Sequence, residues 1–150
     1  MINLSVDTRN LSPCLSQEHL QTILDEMIFL VEHSFEINIE EIYGSTSFWV
    51  PTPDDEIEEL ELFGIIELGD EPTTFERIVH LTHETGHVLY HMDELFRYTK
   101  DIMFNEALAW YLGYHFMAEH GYVIDMSEYE KEIKHALKLY RWSENAGDVK

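Results

Sequence analysis

The sequence predicts an α+β fold in which a small N-terminal β-sheet with a helix precedes three further helices. Two patterns carry this. Short runs in the first half alternate apolar and polar residues at period two, and long runs elsewhere repeat apolar residues at the helical period. A third observation sets the scale. With 150 residues and 45% hydrophobic content there is material for one core, so a single domain over residues 1–150 is expected.

Taken in order, Ile2, Leu4 and Val6 alternate as a first short strand, which Ser12-Pro13 breaks. Ser16 then caps a helix to about His33, with Leu20, Ile23, Leu24, Met27, Ile28, Leu30 and Val31 on its apolar side. Phe35, Ile37 and Ile39 alternate with Glu36, Asn38 and Glu40, a half-buried strand that Gly44 ends. Thr46 to Val50 forms another strand, stopped by Pro51 and Pro53. An acidic connector over 54–61 leads to a strand from Leu62 to Leu68, closed by Gly69-Asp70. A helix from Thr73 to about Asp93 follows, with Thr73 or Thr74 as N-cap and Glu76 in the first turn. Residues 102–117 make a nearly all-apolar helix, and Gly121 caps it. Ser127 starts a last helix to about Asn145, and the tail after Ala146 is expected to fray.

Charge narrows the partners. The formal net charge is −21, and it is uneven: residues 1–75 hold 17 acids and one base, residues 76–150 hold 13 acids and 8 bases. Phosphate repulsion then argues against direct nucleic-acid binding. A basic protein partner is compatible with it, as is imitation of DNA towards a DNA-binding protein; a plain solvated acidic surface is the simpler account and the one favoured. No run is long and apolar enough for a membrane span, since 102–117 is short and holds Asn105, Glu106 and His115. The N-terminus has no basic-then-apolar pattern of a secretory signal, and the lone Cys14 excludes an internal disulfide. Together these lead us to expect a cytoplasmic protein with Cys14 buried or half-buried. An alternative role for Cys14 is a thiolate that covers a metal.

The residues that carry chemistry begin at His83-Glu84-Thr85-Gly86-His87. Two histidines four apart on a helix lie on one face, so both imidazoles can reach one metal ion. The glutamate next to the first of them then lies where it can hold and deprotonate a water. His80, His83, Glu84, His87 and His91 share one sector of this helix, while Ile78, Val79, Leu81, Val88, Leu89 and Tyr90 cover the rest. Gly86 weakens the helix, which suggests that another backbone packs closely there.

A catalytic zinc takes three protein ligands and a water. The third ligand is expected to be Glu106, the single acid in the apolar 102–117 helix, which no Lys or Arg accompanies. A buried lone carboxylate is costly unless compensated, and a metal dication compensates it. Protonation, or a hydrogen bond from a tyrosine, would do so without a metal. Ala109 and Gly113 on the same face are small enough to admit a neighbouring helix. Asp93 is a second candidate, but the bend it needs would fall at Tyr90. His91 and His80 are in line with the pair on one helix, poorly placed to surround one ion.

His83-Glu84-Thr85-Gly86-His87 followed by Asn105-Glu106-Ala107, with 19 residues from His87 to Glu106, resembles the gluzincin class of HExxH zinc metallopeptidases, the thermolysin-like clan. Ala109 is similar to the Glu-x-x-Ala variant of small intracellular members, the phage- and conjugation-associated ones. The resemblance covers roughly residues 76–113. It departs from the clan at Trp110, where thermolysin-like enzymes usually carry an aspartate that orients a zinc histidine.

The resemblance implies a zincin-like metal helix followed by a glutamate helix and a C-terminal helix. It also implies a Zn²⁺ site of His83, His87 and Glu106, and hydrolysis of peptide bonds by a metal-activated water with Glu84 as general base. The expected partner is a peptide or protein substrate. Thr46-Ser47-Phe48-Trp49 is the expected edge strand along the cleft. A Tyr or His is expected to assist the carbonyl oxygen, from among Tyr111, Tyr114, His115, His120, Tyr122 and His135. The alternative is an acidic protein-binding inhibitor or DNA mimic with a structural or vestigial metal site.

Overall fold

A computed structural model describes residues 8–49, 64–92 and 102–148, with side chains described to residue 138 and from 104 in the third segment. The fold is α+β, with four helices and two small sheets among the described residues. The elements are β1 (Arg9–Leu11), α1 (Gln17–Phe35), β2 (Ile37–Glu41), β3 (Ser47–Trp49), β4 (Gly64–Leu68), α2 (Thr74–Met92), α3 (Ile102–Glu119), β5 (Tyr122–Ile124) and α4 (Met126–Asp148).

Helix α1 starts where Ser16 Oγ accepts the His19 N–H at 3.1 Å. It buries Leu20, Ile23, Leu24, Met27 and Val31 of the predicted stripe, leaves Ile28 and Leu30 half-buried, and adds Phe35. Its end is a correction. Phe35 was expected to open a strand, yet it is the last helical residue and its ring packs on Phe116, 5.1 Å between centroids. Glu36 makes the exit in the left-handed region, φ 53°, and the strand begins at Ile37. Burying Phe35 against another helix outweighs the alternation that placed it in the strand.

In the three-stranded sheet β4 lies in the middle, parallel to β2 and antiparallel to β3. Four of the five β4 residues are buried, as a central strand requires. β3 stands at one edge of the described sheet. Hydrogen bonds tie its lead-in to the start of α2: Gly69 N–H donates to Thr46 Oγ1 at 2.8 Å and Gly44 N–H to Asp70 Oδ1 at 2.8 Å. Thr73 is the N-cap of α2, its Oγ1 accepting the Glu76 N–H at 3.1 Å. α2 then packs against α1, α3, β3 and β4.

The second sheet is absent from the sequence reading. Arg9–Leu11 pairs in parallel with Tyr122–Ile124, and Gly121 (φ 91°) turns the chain out of α3 into it. The predicted strand at Ile2–Val6 and the connector over 54–61 lie outside the described residues. α4 begins one residue earlier than predicted, and its cap is Asp125, whose Oδ1 accepts the Ser127 and Glu128 N–H groups at 3.0 and 3.2 Å. Asp125→Ala is therefore expected to lower the denaturation midpoint more than Ser127→Ala does. A larger loss in Ser127→Ala would count against Asp125 as the cap. The helix runs to Asp148, past the predicted end at Asn145.

Cys14 corrects another expectation. It is exposed on the loop before α1 rather than buried. No helix among the described residues is long and apolar enough to cross a membrane.

Candidate metal centre

The site is built where α2 and α3 cross. A Cβ added at Gly86 would lie 1.7 Å from the carbonyl oxygen of Ala109, and one added at Gly113 would lie 1.9 Å from that of Thr82. Only glycine permits this backbone approach. The hydroxyls of Thr82 and Thr85 turn back along α2 and donate to the carbonyls of Ile78 and Leu81, each at 2.8 Å, so the buried contact leaves neither unpaired. Glu106 lies less than a turn before Ala109 on α3, and the close crossing delivers its carboxylate to the histidine face of α2.

There Glu106 Oε2 lies 2.6 Å from His87 Nε2, and Glu106 Oε1 lies 3.5 Å from His83 Nε2. The two Nε2 atoms are 3.1 Å apart. A tetrahedral zinc with bonds of about 2.1 Å sets its donor atoms about 3.4 Å apart. The separations of 3.1 and 3.5 Å are close to that, while 2.6 Å is the length of a charge-assisted hydrogen bond. The donor set of two imidazole nitrogens and one carboxylate suits zinc.

Glu84 competes for the third ligand position, since His83, Glu84 and His87 bring ligand atoms within 4.8 Å of one another. Its carboxylate, however, stands 3.6 Å from His83 Nδ1, whereas Glu106 spans both Nε2 atoms. Glu106 is thus the carboxylate that reaches both Nε2 atoms, and Glu84 stands beside the pair.

Electrostatics follow from burial. His83, Glu84 and Glu106 are 8%, 7% and 6% exposed. Burial drives the His83 imidazolium down to about 4, despite the Glu106 hydrogen bond. For His87 burial also disfavours the charged ring, but the hydrogen bond to Glu106 and the charges of Glu84 and Glu106 outweigh it, and its pKa is raised. Burial raises that of Glu106, yet the hydrogen bonds from His83 and His87 prevail and hold it well below the usual carboxylate range. Burial pushes Glu84 up to about 7 against the pull of His87, with Glu106 and Glu71 adding to the rise. The ion pairs of Lys and Arg among the described residues lie elsewhere, at Glu26, Glu41 and Glu128.

Thus His83, Glu84, His87 and Glu106 are brought together. Asp93 lies outside the described residues. His91 sits at the exposed end of α2 with its ring 5.6 Å from that of Phe48 on β3. Burial and the nearby His87 lower its pKa. The six Tyr and His candidates for oxyanion support are not brought in. Tyr122 Oη donates to Glu26 at 2.9 Å, His120 Nδ1 bonds the Phe116 carbonyl at 2.9 Å, and Tyr114 packs on His115 and Tyr129. Tyr111 and His135 face solvent.

One neighbour of the site was missed. The indole of Trp110 stacks on His83, 4.1 Å between centroids and 8° between planes. Its place four residues after Glu106 on α3 was the available signal, because i and i+4 share a helix face.

No family model, curated protein or solved structure matches this chain.

Proposed function

We propose that the protein is a zinc-dependent metallopeptidase in which His83, His87 and Glu106 hold the ion. The observation that carries the reading is the single carboxylate of Glu106, buried in an apolar helix and reaching the Nε2 atoms of both histidines. A zinc ion held there supplies a Lewis acid for a water and a substrate carbonyl. Glu84, buried beside His83, takes the proton of the attacking water and returns it to the leaving nitrogen. β3, at one edge of the described sheet, is the strand to which an extended segment would add. Contact between Phe48 and His91 keeps that strand next to the helix that carries the site. The acidic surface steers basic segments towards it, an attraction that weakens as salt rises.

The test is metal content followed by ligand deletion. Purified protein is expected to carry about one zinc per chain and to gain thermal stability from added zinc. Glu106→Ala is expected to weaken zinc binding by more than ~100-fold, a larger loss than removing supporting groups causes. Asp93→Ala and His91→Ala are expected to leave it nearly unchanged in chelator-competition titrations. An equal loss in Asp93→Ala would move the third ligand there, and a wild-type protein indifferent to zinc would remove the metal reading altogether.

A further inference from the structure

The stacked pair of His83 and Trp110 has three features that core packing alone leaves unexplained. The rings are nearly parallel and in face-to-face contact, 4.1 Å and 8°. Trp110 is itself clamped: it is 1% exposed, Tyr129 stands edge-on to it at 5.4 Å, and the Tyr129 hydroxyl donates to the Trp110 carbonyl. Lastly, Trp110 Nε1 is a buried donor with no hydrogen-bond partner among the described residues. Such an orphan is a standing cost that a phenylalanine in the same place would avoid.

His83 meanwhile lacks the usual restraint on a ligand imidazole. A metal-bound histidine normally donates its second N–H to a carboxylate or carbonyl, which fixes the ring. The Glu84 carboxylate is 3.6 Å from His83 Nδ1, beyond hydrogen-bond reach, and the described residues give that nitrogen no hydrogen bond. Beyond its Nε2 contacts with His87 and Glu106, the ring lies flat against the indole face.

We infer that Trp110 is a positioning residue for the metal centre, orienting His83 by aromatic stacking where a hydrogen bond would ordinarily do so. The inference rests on the zinc reading above. Stacking confines rotation of the imidazole about its Cβ–Cγ bond, so Nε2 stays directed at His87 and Glu106. It also favours the ligated state. An imidazole that donates its lone pair to a cation becomes electron-poor, and the electron-rich face of an indole attracts such a ring. Tyr129 acts one step further out by fixing Trp110.

The experiment compares wild type, Trp110→Phe and Trp110→Leu by zinc affinity in chelator competition and by the visible absorption of the Co²⁺-loaded proteins. Trp110→Leu is expected to lose ~10–100-fold in zinc affinity and to show altered Co²⁺ bands. Trp110→Phe, which keeps a flat π face, is expected to recover most of both. A merely structural role would move the unfolding midpoint without moving these two readouts. Folded Trp110→Leu that binds zinc as tightly as wild type, with an unchanged Co²⁺ spectrum, overturns the inference and leaves the zinc reading standing. Wild type that binds no zinc overturns both. Should Trp110→Leu fail to fold, wild type with ¹⁵N-labelled tryptophan decides. The indole signal that disappears in Trp110→Phe is expected to shift on saturation with zinc, and a signal that stays in place overturns the inference.

Discussion

Replacing Glu84 by Gln is expected to remove peptide hydrolysis while leaving the fold and the zinc in place. Glu84 sits on the buried face of α2 with its carboxylate 3.6 Å from His83 Nδ1, beside the donor atoms rather than between them. Gln has nearly the same shape but cannot accept and hand on a proton, so the loss should be on the order of 10²–10⁴-fold in kcat/KM. Folding should survive because the site already tolerates a neutral group there: burial holds the Glu84 carboxyl up to about 7. The measurements are zinc stoichiometry, the denaturation midpoint, and cleavage of a peptide library rich in basic segments. Cleavage that persists at the wild-type rate would end the assignment of Glu84 as general base. Should a biological effect of the protein survive Glu84→Gln unchanged while wild type cleaves nothing, the acidic binding protein becomes the better reading. In that case association with a basic partner should weaken between low and physiological ionic strength.

The second large effect is on stability. On an exposed helix, Gly→Ala stabilises by up to about 1 kcal/mol. At Gly113 the sign is expected to reverse. The added Cβ would lie 1.9 Å from the Thr82 carbonyl oxygen, 2.9 Å from its carbon and 3.2 Å from the Gly86 nitrogen. All three are backbone atoms of α2, so no side chain can swing aside and the two helices must separate. Overpacking of this kind costs roughly 1–3 kcal/mol and more where the backbone cannot adjust. Urea denaturation of Gly113→Ala should show a lower midpoint with an unchanged slope. Because Glu106 approaches His83 and His87 through the same crossing, zinc affinity should fall as well. A Gly113→Ala protein more stable than wild type would mean that the helices do not meet this closely. Gly86→Ala, facing the Ala109 carbonyl at 1.7 Å, should behave alike.

How much was legible beforehand depends on whether the information is periodic. The apolar stripe of α1, the cap at Ser16 and the buried run of β4 can be read from spacing, because a helix or strand repeats its environment every few residues. So can the shared face of His83, Glu84 and His87. Glu106 stood out for a different reason: a single acid in an apolar helix demands a partner, whatever the fold. The close crossing was announced by glycine at 86 and 113, which cost helix propensity and so imply a neighbour.

Other features depend on contacts between distant parts of the chain, and no local pattern encodes them. β1 and β5 are three residues each, too short for alternation to register, and exist as strands only because they pair with one another across the chain. Phe35 joins α1 instead of β2 because Phe116 is there to pack against. α4 starts at Met126, before the expected Ser127, because Asp125 caps it where the chain leaves β5. Six Tyr and His residues looked equally available to the site, and the fold turned them elsewhere. Trp110 looked like the loss of an orienting aspartate, but lies against His83 once α3 is docked. The sequence by itself determined which residues share a face and which buried charge needs a counterpart, since both follow from the helical repeat and the cost of burial. Which faces meet was decided by the tertiary structure alone, because that choice is settled by packing between elements far apart in the chain.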